Sequence, residues 1–380
     1  MTEISKQVLD SLVVTANIES VSYAQIMEHL RSEALLQEHL PHPYAQIDPR
    51  TGVCILYSQS RRNRPCDYPT ARHPGKLIPC PICNGNTTAI WDLAPLSDGY
   101  TFINENLFPA IFPSAEVAWP IISNLKQYPA ASGIPAAGVH FLQWHSSNHT
   151  IDFHNMPVAD ILVNLQRLAA LEKFTLTQPS PMQLSDTING LTMRGYLCIV
   201  KNYGRAVGGS LSHGHLQIFH MNIVPKRLEQ DMAFLAHHRQ GFSAFLQQHT
   251  SPALTIKTYP KGGVKLITPF CAKRPFECVI CFADTSKNYL HQLDHEELRG
   301  LALAMSHSIG AVIELIPSLG REPSYNLVFH VGPLGGLYVE LLPFTQEVGG
   351  NENLGIYLAH FTPQESAQLC REAVARHNGA

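Results

Sequence analysis

The strongest constraint on this 380-residue chain is the segment from Asn202 to Gln217, a glycine-rich run that ends in His213-x-His215-x-Gln217. Alternate residues of an extended strand point to one face, so these last three side chains share a face if the segment is a strand. An imidazole beside glycine-rich backbone suits nucleophilic attack on a phosphate, because backbone N–H groups can hold the anion. The competing interpretation is a buried strand with two hydrogen-bonded histidines, which the glycines, Ser210 and Gln217 disfavour.

The composition is that of an ordinary globular protein and argues against several classes of function. Hydrophobic residues make up 45% of the chain and the formal net charge is −3, which disfavours a dedicated nucleic-acid-binding protein. We expect no signal peptide and no apolar run long enough to span a membrane. Nine cysteines, an odd number, favour a reducing, cytoplasmic setting over a disulfide framework.

Hydrophobic periodicity predicts an α+β fold that repeats its order of elements. In the first half, strands are expected near 100–104, 139–144, 196–202 and 215–223, and helices over about 22–38, 158–176 and 227–248. In the second half, strands are expected near 264–268, 277–283, 325–331 and 337–342, and helices near 294–316 and after Thr362-Pro363. The repeated order suggests an internal duplication, with halves over residues 1–235 and 236–380.

Two Cys-x-x-Cys pairs receive different interpretations. Cys80-Pro-Ile-Cys83 precedes an Asn-Gly turn, and two thiolates at this spacing suit tetrahedral zinc. The alternatives are an ordinary pair of loop cysteines and a redox motif, although no thioredoxin-like context surrounds the pair. Cys278-Val-Ile-Cys281 lies in a predicted strand, where positions i and i+3 face opposite sides, so these two cysteines are expected in the core.

Two loops offer groups that could contact a phosphate and a base. Arg61 and Arg64 lie in a long loop predicted over residues 60–88, and guanidinium groups can clamp phosphates. A solvated basic turn is the alternative. Asn106-Leu-Phe108-Pro offers an amide and an aromatic ring at a turn, which could read a base edge and stack on the base. Considered alone, that segment is better interpreted as a turn with an asparagine and a buried phenylalanine.

Together these motifs resemble the galactose-1-phosphate uridylyltransferase branch of the histidine-triad superfamily, over roughly residues 45–375. The family signature Asn-x-Gly-x-x-x-Gly-x-Ser-x-x-His-x-His-x-Gln is matched in register by Asn202, Gly204, Gly208, Ser210, His213, His215 and Gln217. The family has proline between the two histidines, where this chain has Gly214. The resemblance implies two histidine-triad-like halves, each an antiparallel sheet with packed helices, and a helical extension before the first half.

The resemblance also implies a role for each motif residue. His215 would be the nucleophile, and Ser210 and Gln217 would hold the phosphate oxygens. Substrate contacts would come from Arg61, Arg64, Asn106, Phe108, Asn202, Gly208 and Gly209. A structural zinc ion would be held by Cys80, Cys83, His149 and His213, with His145 and His154 as rivals for the position of His149.

The implied reaction is ping-pong nucleotidyl transfer through a covalent nucleotidyl-histidine. The family default is uridylyl transfer between a nucleotide sugar and a hexose-1-phosphate. The alternatives are adenylyl transfer by phosphorolysis of an ADP-sugar or a dinucleoside polyphosphate, and a non-catalytic nucleotide-binding protein. Gln217 favours transfer, since a third histidine at that place marks the hydrolase branch. We expect no nucleic-acid or membrane partner, and a homodimer stands as an alternative to a monomer.

A second metal ion is the least supported implication of the resemblance. Some uridylyltransferases bind one through a further His-x-His pair, but this chain reads Tyr338-Val-Glu340 at that place. Asp231, His330 and Glu340 are the remaining candidate ligands. The segment Gly350-Asn-Glu-Asn-Leu-Gly355 resembles a glycine-rich loop that lies near the substrate in sugar-nucleotide phosphorylases.

Overall fold

The computed structural model describes residues 3–68, 79–113, 122, 133–178, 186–188 and 191–377, so residues 69–78 of the expected loop lie outside the described part. The helices are α1 (Lys6–Leu12), α2 (Tyr23–Ser32), α3 (Ala34–Gln37), α4 (Val158–Thr177), α5 (Lys226–His238), α6 (Phe242–His249), α7 (His295–Leu315), α8 (Gly350–Asn353) and α9 (Pro363–His377). The strands are β1 (Tyr44–Ile47), β2 (Cys54–Tyr57), β3 (Ile90–Pro95), β4 (Tyr100–Glu105), β5 (Ile134–Pro135), β6 (Gly138–Trp144), β7 (Asp186–Ile188), β8 (Leu191–Met193), β9 (Tyr196–Tyr203), β10 (His215–Met221), β11 (Thr255–Tyr259), β12 (Val264–Ile267), β13 (Cys278–Phe282), β14 (Tyr325–His330) and β15 (Tyr338–Pro343).

Ten of the described strands form one antiparallel sheet in the order β11-β12-β13-β15-β14-β9-β10-β6-β4-β3. Each half of the chain supplies five of these strands. From the outer edge of the sheet to its centre, the first half runs β3-β4-β6-β10-β9 and the second half runs β11-β12-β13-β15-β14. If the five strands of each half are numbered in chain order, both halves therefore have the spatial order 1-2-3-5-4. The halves join where β9 pairs with β14, with Val200 opposite Val328. A long helix, α4 or α7, follows the third strand of each set. The predicted α+β fold with an internal duplication is confirmed.

The boundary expected between residues 235 and 236 stays a prediction. Both positions lie within α5, which follows the last strand of the first half and precedes β11, the first strand of the second half.

Helices α4 and α7 contribute buried side chains to the main core, against one face of the sheet. Ile161, Leu165 and Leu168 are buried along α4 at helical spacing, and they share a cluster with Leu216 and Ile218 of β10. Because successive strand residues point to opposite faces, the side chains on either side of Leu216 project from the other face. The sheet therefore separates an apolar core from the face that carries the predicted catalytic residues.

Helix α7 is a core helix. Asp294 caps its first turn by accepting the Glu297 N–H at 2.9 Å, and the Glu297 carboxylate accepts the Asp294 N–H at 2.7 Å. Among the described residues, His295–Leu319 is long and apolar enough to cross a membrane, contrary to the expectation that no apolar run has this length. However, 61% of its apolar window is buried inside the protein, which is what a core helix requires.

Two predicted helices are interrupted. Ser22 caps α2, with its Oγ accepting the Gln25 N–H, but Glu33 adopts an extended conformation and the helix restarts as α3. In the second case, Arg239 has a φ of 59° and ends α5 before α6 begins. A left-handed residue terminates a helix, and the helix-forming composition of this stretch gives no sign of it.

Candidate active site

The four predicted metal ligands come together beside the start of β10. One ligand atom from each of Cys80, Cys83, His149 and His213 lies within 4.8 Å of the others. Cys83 Sγ lies 3.6 Å from His149 Nδ1 and 3.7 Å from His213 Nδ1. A tetrahedral zinc ion would hold sulfur and nitrogen ligands about 3.6 Å apart. The donor set and its spacing therefore fit a tetrahedral metal ion.

The second ring nitrogen of each histidine is also engaged. His213 Nε2 donates to the carbonyl oxygen of Ser146 at 2.8 Å, which leaves the Nδ1 lone pair facing the thiols. His149 Nε2 lies 3.0 Å from Ser212 Oγ, and that hydroxyl donates to the Asp67 carboxylate at 2.8 Å. Such outer contacts fix the tautomer and orientation of metal-binding imidazoles.

The rival histidines lie in a different cluster. His154 packs edge-on against Tyr203. His145 Nδ1 lies 2.7 Å from one oxygen of Asp152, and the other oxygen accepts a hydrogen bond from Lys201 Nζ at 2.8 Å. Burial lowers the pKa of His145 to about 3, so its ring is neutral at pH 7 and Asp152 pairs with Lys201. The structure thus brings His149, and neither rival, to the cysteines.

This buried charge cluster leaves no room for a side chain at Gly214, the position where the sequence departs from the signature that it resembles. A Cβ atom on Gly214 would lie 2.6 Å from Asp152 Cγ, well inside van der Waals contact. The Asp152 carboxylate occupies the space that a side chain, or a proline ring, would need between the two histidines.

His215 is held in the form that a nucleophile requires. Its Nδ1 donates to the carbonyl oxygen of His213 at 2.8 Å, so the lone pair lies on Nε2. Burial lowers the pKa of His215 to about 4, so the ring is neutral at pH 7. The ring of Trp144 packs against it, with 4.8 Å between centroids. A neutral, oriented imidazole is able to attack phosphorus.

A cavity of about 410 Å³ lies in front of His215. Most of the predicted catalytic and substrate residues line it: Arg61, Arg64, Asn106, Phe108, Ser210, His215 and Gln217. Burial lowers the pKa of Arg61 to about 10, and its guanidinium stays charged at neutral pH. A neutral imidazole, two guanidinium groups and an aromatic ring therefore meet around one space, which suits a nucleoside diphosphate.

Three predicted substrate residues lie outside the lining of this cavity. Asn202 Oδ1 accepts a hydrogen bond from Asn326 Nδ2 at 2.6 Å across the seam between the two halves. Gly208 has a φ of 90°, and Gly209 donates its N–H within the same turn. These residues shape the turn that leads to Ser210, and their contact with substrate stays a prediction.

Part of the cavity wall was not predicted from the sequence. Leu142 and Trp144 line the cavity, and on β6 they stand opposite Gln217 and His215 of β10. Side chains 140, 142 and 144 share one face of β6. Both faces of this strand carry mainly apolar residues, so the sequence did not indicate which face lines the cavity. Leu35 of α3 also lines the cavity, and no motif indicated that contact.

The candidate ligands for a second metal ion surround an arginine instead. His330 Nε2 lies 2.8 Å from Glu340, whose carboxylate also accepts a hydrogen bond from Arg227 at 3.1 Å. Tyr338 donates its hydroxyl proton to Asp231 at 3.0 Å. Within the described residues these side chains do not form a group able to hold a metal ion. The guanidinium already supplies the positive charge at this place.

The known proteins similar to this chain are nucleotide-sugar enzymes. No family model matches. An ADP-glucose phosphorylase from Arabidopsis thaliana is 23% identical over 87% of this chain and 93% of its own length. A galactose-1-phosphate uridylyltransferase from Thermotoga maritima is 24% identical, over 61% and 64% of the two chains. A solved uridylyltransferase structure has a TM-score of 0.64 and 20% identity, covering 88% of this chain and 99% of that one. These relatives are consistent with the galactose-1-phosphate uridylyltransferase branch of the histidine-triad superfamily that the motifs resemble.

Proposed function

We propose that this protein is a nucleotidyltransferase that moves a nucleoside monophosphate between a nucleotide sugar and a sugar phosphate or phosphate. The observation that carries the proposal is the geometry of His215. Its Nδ1 is tied to a backbone carbonyl, its ring is neutral, and it lines a cavity that also holds Arg61 and Arg64. This arrangement leaves Nε2 free for attack on a diphosphate.

In the proposed reaction, His215 Nε2 attacks the α-phosphorus of the donor. The N–P bond forms as the bond from phosphorus to the bridging oxygen breaks, and the distal phosphate leaves with its sugar. Arg61 and Arg64 neutralise the diphosphate, while Ser210 and Gln217 hold the oxygens of the nucleotidyl group. Attack by a second phosphate reverses the step. Positioning and charge stabilisation supply most of the barrier reduction in this class of reaction.

Uridylyl transfer to a hexose-1-phosphate remains the default for the base and the acceptor. Adenylyl transfer by phosphorolysis of an ADP-sugar is the second candidate, because the similarity to an ADP-glucose phosphorylase extends over 93% of that enzyme. The resemblance of the Gly350–Gly355 segment to a phosphorylase loop supports the same candidate. In this segment Glu352 accepts the Gly349 N–H at 2.9 Å.

Zinc is the metal ion that we propose for the site formed by Cys80, Cys83, His149 and His213. Two thiolates and two imidazoles at tetrahedral spacing favour zinc, and four protein ligands leave no open position. The ion would therefore anchor the start of β10 and the cysteine turn rather than take part in the reaction.

We further infer a cytoplasmic protein, and a homodimer remains the alternative to a monomer. A run of exposed apolar side chains supports association: Val348, Leu354, Ile356 and Leu358 are 54% to 80% exposed.

Intact-protein mass spectrometry tests the proposed reaction. The protein is incubated with UDP-glucose, ADP-glucose or a dinucleoside polyphosphate, and the donor that labels it identifies the base. We expect a nucleotidyl mass increase in the wild type and in His237→Ala, a control at an exposed histidine, but not in His215→Ala. If no donor labels the wild type, the enzyme proposal fails and the non-catalytic nucleotide-binding protein is favoured.

Metal analysis tests the zinc site separately. One zinc ion per chain is expected in the wild type and in Cys278→Ser, a control in the second Cys-x-x-Cys pair. Cys80→Ser and His149→Ala should lose it, and unchanged zinc content in both variants would contradict the ligand assignment.

A further inference from the structure

We propose that His140, a buried residue behind the cavity, is a positioning residue that fixes the orientation of the Gln217 side-chain amide. His140 lies on β6 and is 1% exposed. Its role would be to make Gln217 a hydrogen-bond donor toward the phosphate held at His215. This inference rests on the proposed nucleotidyl transfer.

His140 and Gln217 are diagonal neighbours on one face of the sheet. Gln217 stands opposite Leu142, and His140 stands opposite Phe219, so the two side chains are within reach of each other. The His140 ring stacks on Phe219 with 3.9 Å between centroids, and the Gln217 side chain is one of the groups that shift the pKa of His140. The imidazole therefore lies directly behind the amide that faces the cavity.

The backbone of Ala110 fixes the tautomer of His140. Its N–H donates to His140 Nδ1 at 3.2 Å. Because a backbone N–H can only donate, Nδ1 carries the lone pair and the ring proton of the neutral imidazole lies on Nε2. Burial, with the nearby charge of Arg61, holds the pKa of His140 well below its ordinary value. The ring therefore has one acceptor and one donor, each with a set direction.

The tautomer determines how Gln217 is oriented. Nε2–H of His140 can pair with the oxygen of the Gln217 amide but not with its NH₂ group. The NH₂ group then turns away from His140, toward the cavity that His215 also lines. Gln217 consequently presents donors to phosphate oxygens. Without His140, a half-turn of the amide would present an oxygen to the phosphate instead.

The same histidine holds the turn that carries the predicted base contacts. Asn106 donates its backbone N–H to the carbonyl of His140 at 2.8 Å, and Asn106 Oδ1 accepts the Phe108 N–H at 2.9 Å. Because Asn106 Oδ1 already accepts the Phe108 N–H, the NH₂ group of Asn106 is the part that approaches His140, with 3.3 Å between Nδ2 and Nε2. Both of these nitrogens are donors in the tautomer described above, so this contact adds no hydrogen bond. His140 thus links the base-binding turn to the phosphate-binding amide.

Two substitutions separate hydrogen bonding from packing. His140→Phe keeps a ring on Phe219 and removes both ring nitrogens, whereas His140→Gln keeps a donor and an acceptor and loses the ring. We expect kcat for nucleotidyl transfer to fall about tenfold or more in His140→Phe, and His140→Gln to recover most of it. In a Gln217→Ala background, His140→Phe should have little further effect.

Three results would overturn the inference. The first is an active phenylalanine variant beside an impaired glutamine variant, which would assign His140 to packing. The second is a loss of kcat from His140→Phe that is equally large in the wild type and in the Gln217→Ala background. The third is protonation of His140 at Nδ1, read from ¹⁵N NMR of the wild type, which needs no variant to fold. Absence of any adduct on wild-type His215 would instead refute the proposed function, while the NMR result would still decide the tautomer.

Discussion

Gly214→Ala is expected to destabilise the protein, although it adds a single methyl group. The new Cβ would lie 2.6 Å from Asp152 Cγ and 2.8 Å from its Oδ2, whereas carbon atoms in contact keep about 3.5–4.0 Å apart. The carboxylate has little freedom to retreat, because it is bonded to Lys201, His145 and the N–H of Phe153.

The magnitude follows from what has to move. Forcing a methyl group into a packed core costs about 1–3 kcal/mol. Shifting Asp152 also weakens its pair with Lys201, whose side chain is 2% exposed, and breaking such a buried pair completely costs about 3–5 kcal/mol. Because the pair would be stretched rather than lost, we expect a total of about 2–4 kcal/mol. Gly214 is not among the glycines with positive φ, so the clash sets the cost.

Urea unfolding followed by circular dichroism measures this cost. Gly350→Ala is the matched control, since nothing lies within 4 Å of its Cβ position. In an Asp152→Ala/Lys201→Met background, which removes the carboxylate and its partner, Gly214→Ala should cost less than about 0.5 kcal/mol. Equal costs in the two backgrounds would refute the reasoning.

Three further predictions concern a buried acid, an arginine and the metal ion. Burial raises the pKa of Glu105 to about 8, so folding favours its protonated form and stability is lost as pH rises from about 4.5 toward 8. Glu105→Gln should therefore stabilise the protein by up to about 3 kcal/mol at pH 7 and by little at pH 4, measured by urea unfolding at both values; equal gains would contradict the titration. Arg227→Met should lower the free energy of unfolding by about 1–2 kcal/mol, because Glu340 and Asp231 lose their cation, and an unchanged urea midpoint would show that the guanidinium is not needed. A chelator should lower the thermal midpoint of the wild type but not that of Cys80→Ser, and equal shifts would exclude the thiol as a ligand.

The sequence predicted the site residues that are close to one another along the chain. His213, His215 and Gln217 follow one another on a strand, and the cysteine turn has a fixed spacing. His140 was missed because a lone histidine in an apolar strand is usually a core residue, and its contact with Gln217 exists only once β6 pairs with β10. The role of Asp152 likewise depends on a fold that places it against Gly214.

The pairing of the strands relates the predicted catalytic residues to positions in the second half. Gln217 stands opposite Val200 on β9, and Glu340 stands opposite Val328 on β14. Val200 and Val328 in turn face each other at the seam between the halves. The duplication therefore places Glu340 where the first half has Gln217.

By the same register, Tyr338 takes the place of His215. Arg227 donates to the Tyr338 hydroxyl at 3.2 Å and to the Glu340 carboxylate at 3.1 Å, so this position holds an internal ion cluster rather than an imidazole facing a cavity. The Tyr338 phenol donates its proton to Asp231, and burial raises its pKa well above the ordinary value, so it is a poor nucleophile. The duplicated fold thus carries the proposed nucleophile on β10, whereas the equivalent strand of the second half, β15, carries an ion cluster that joins it to α5.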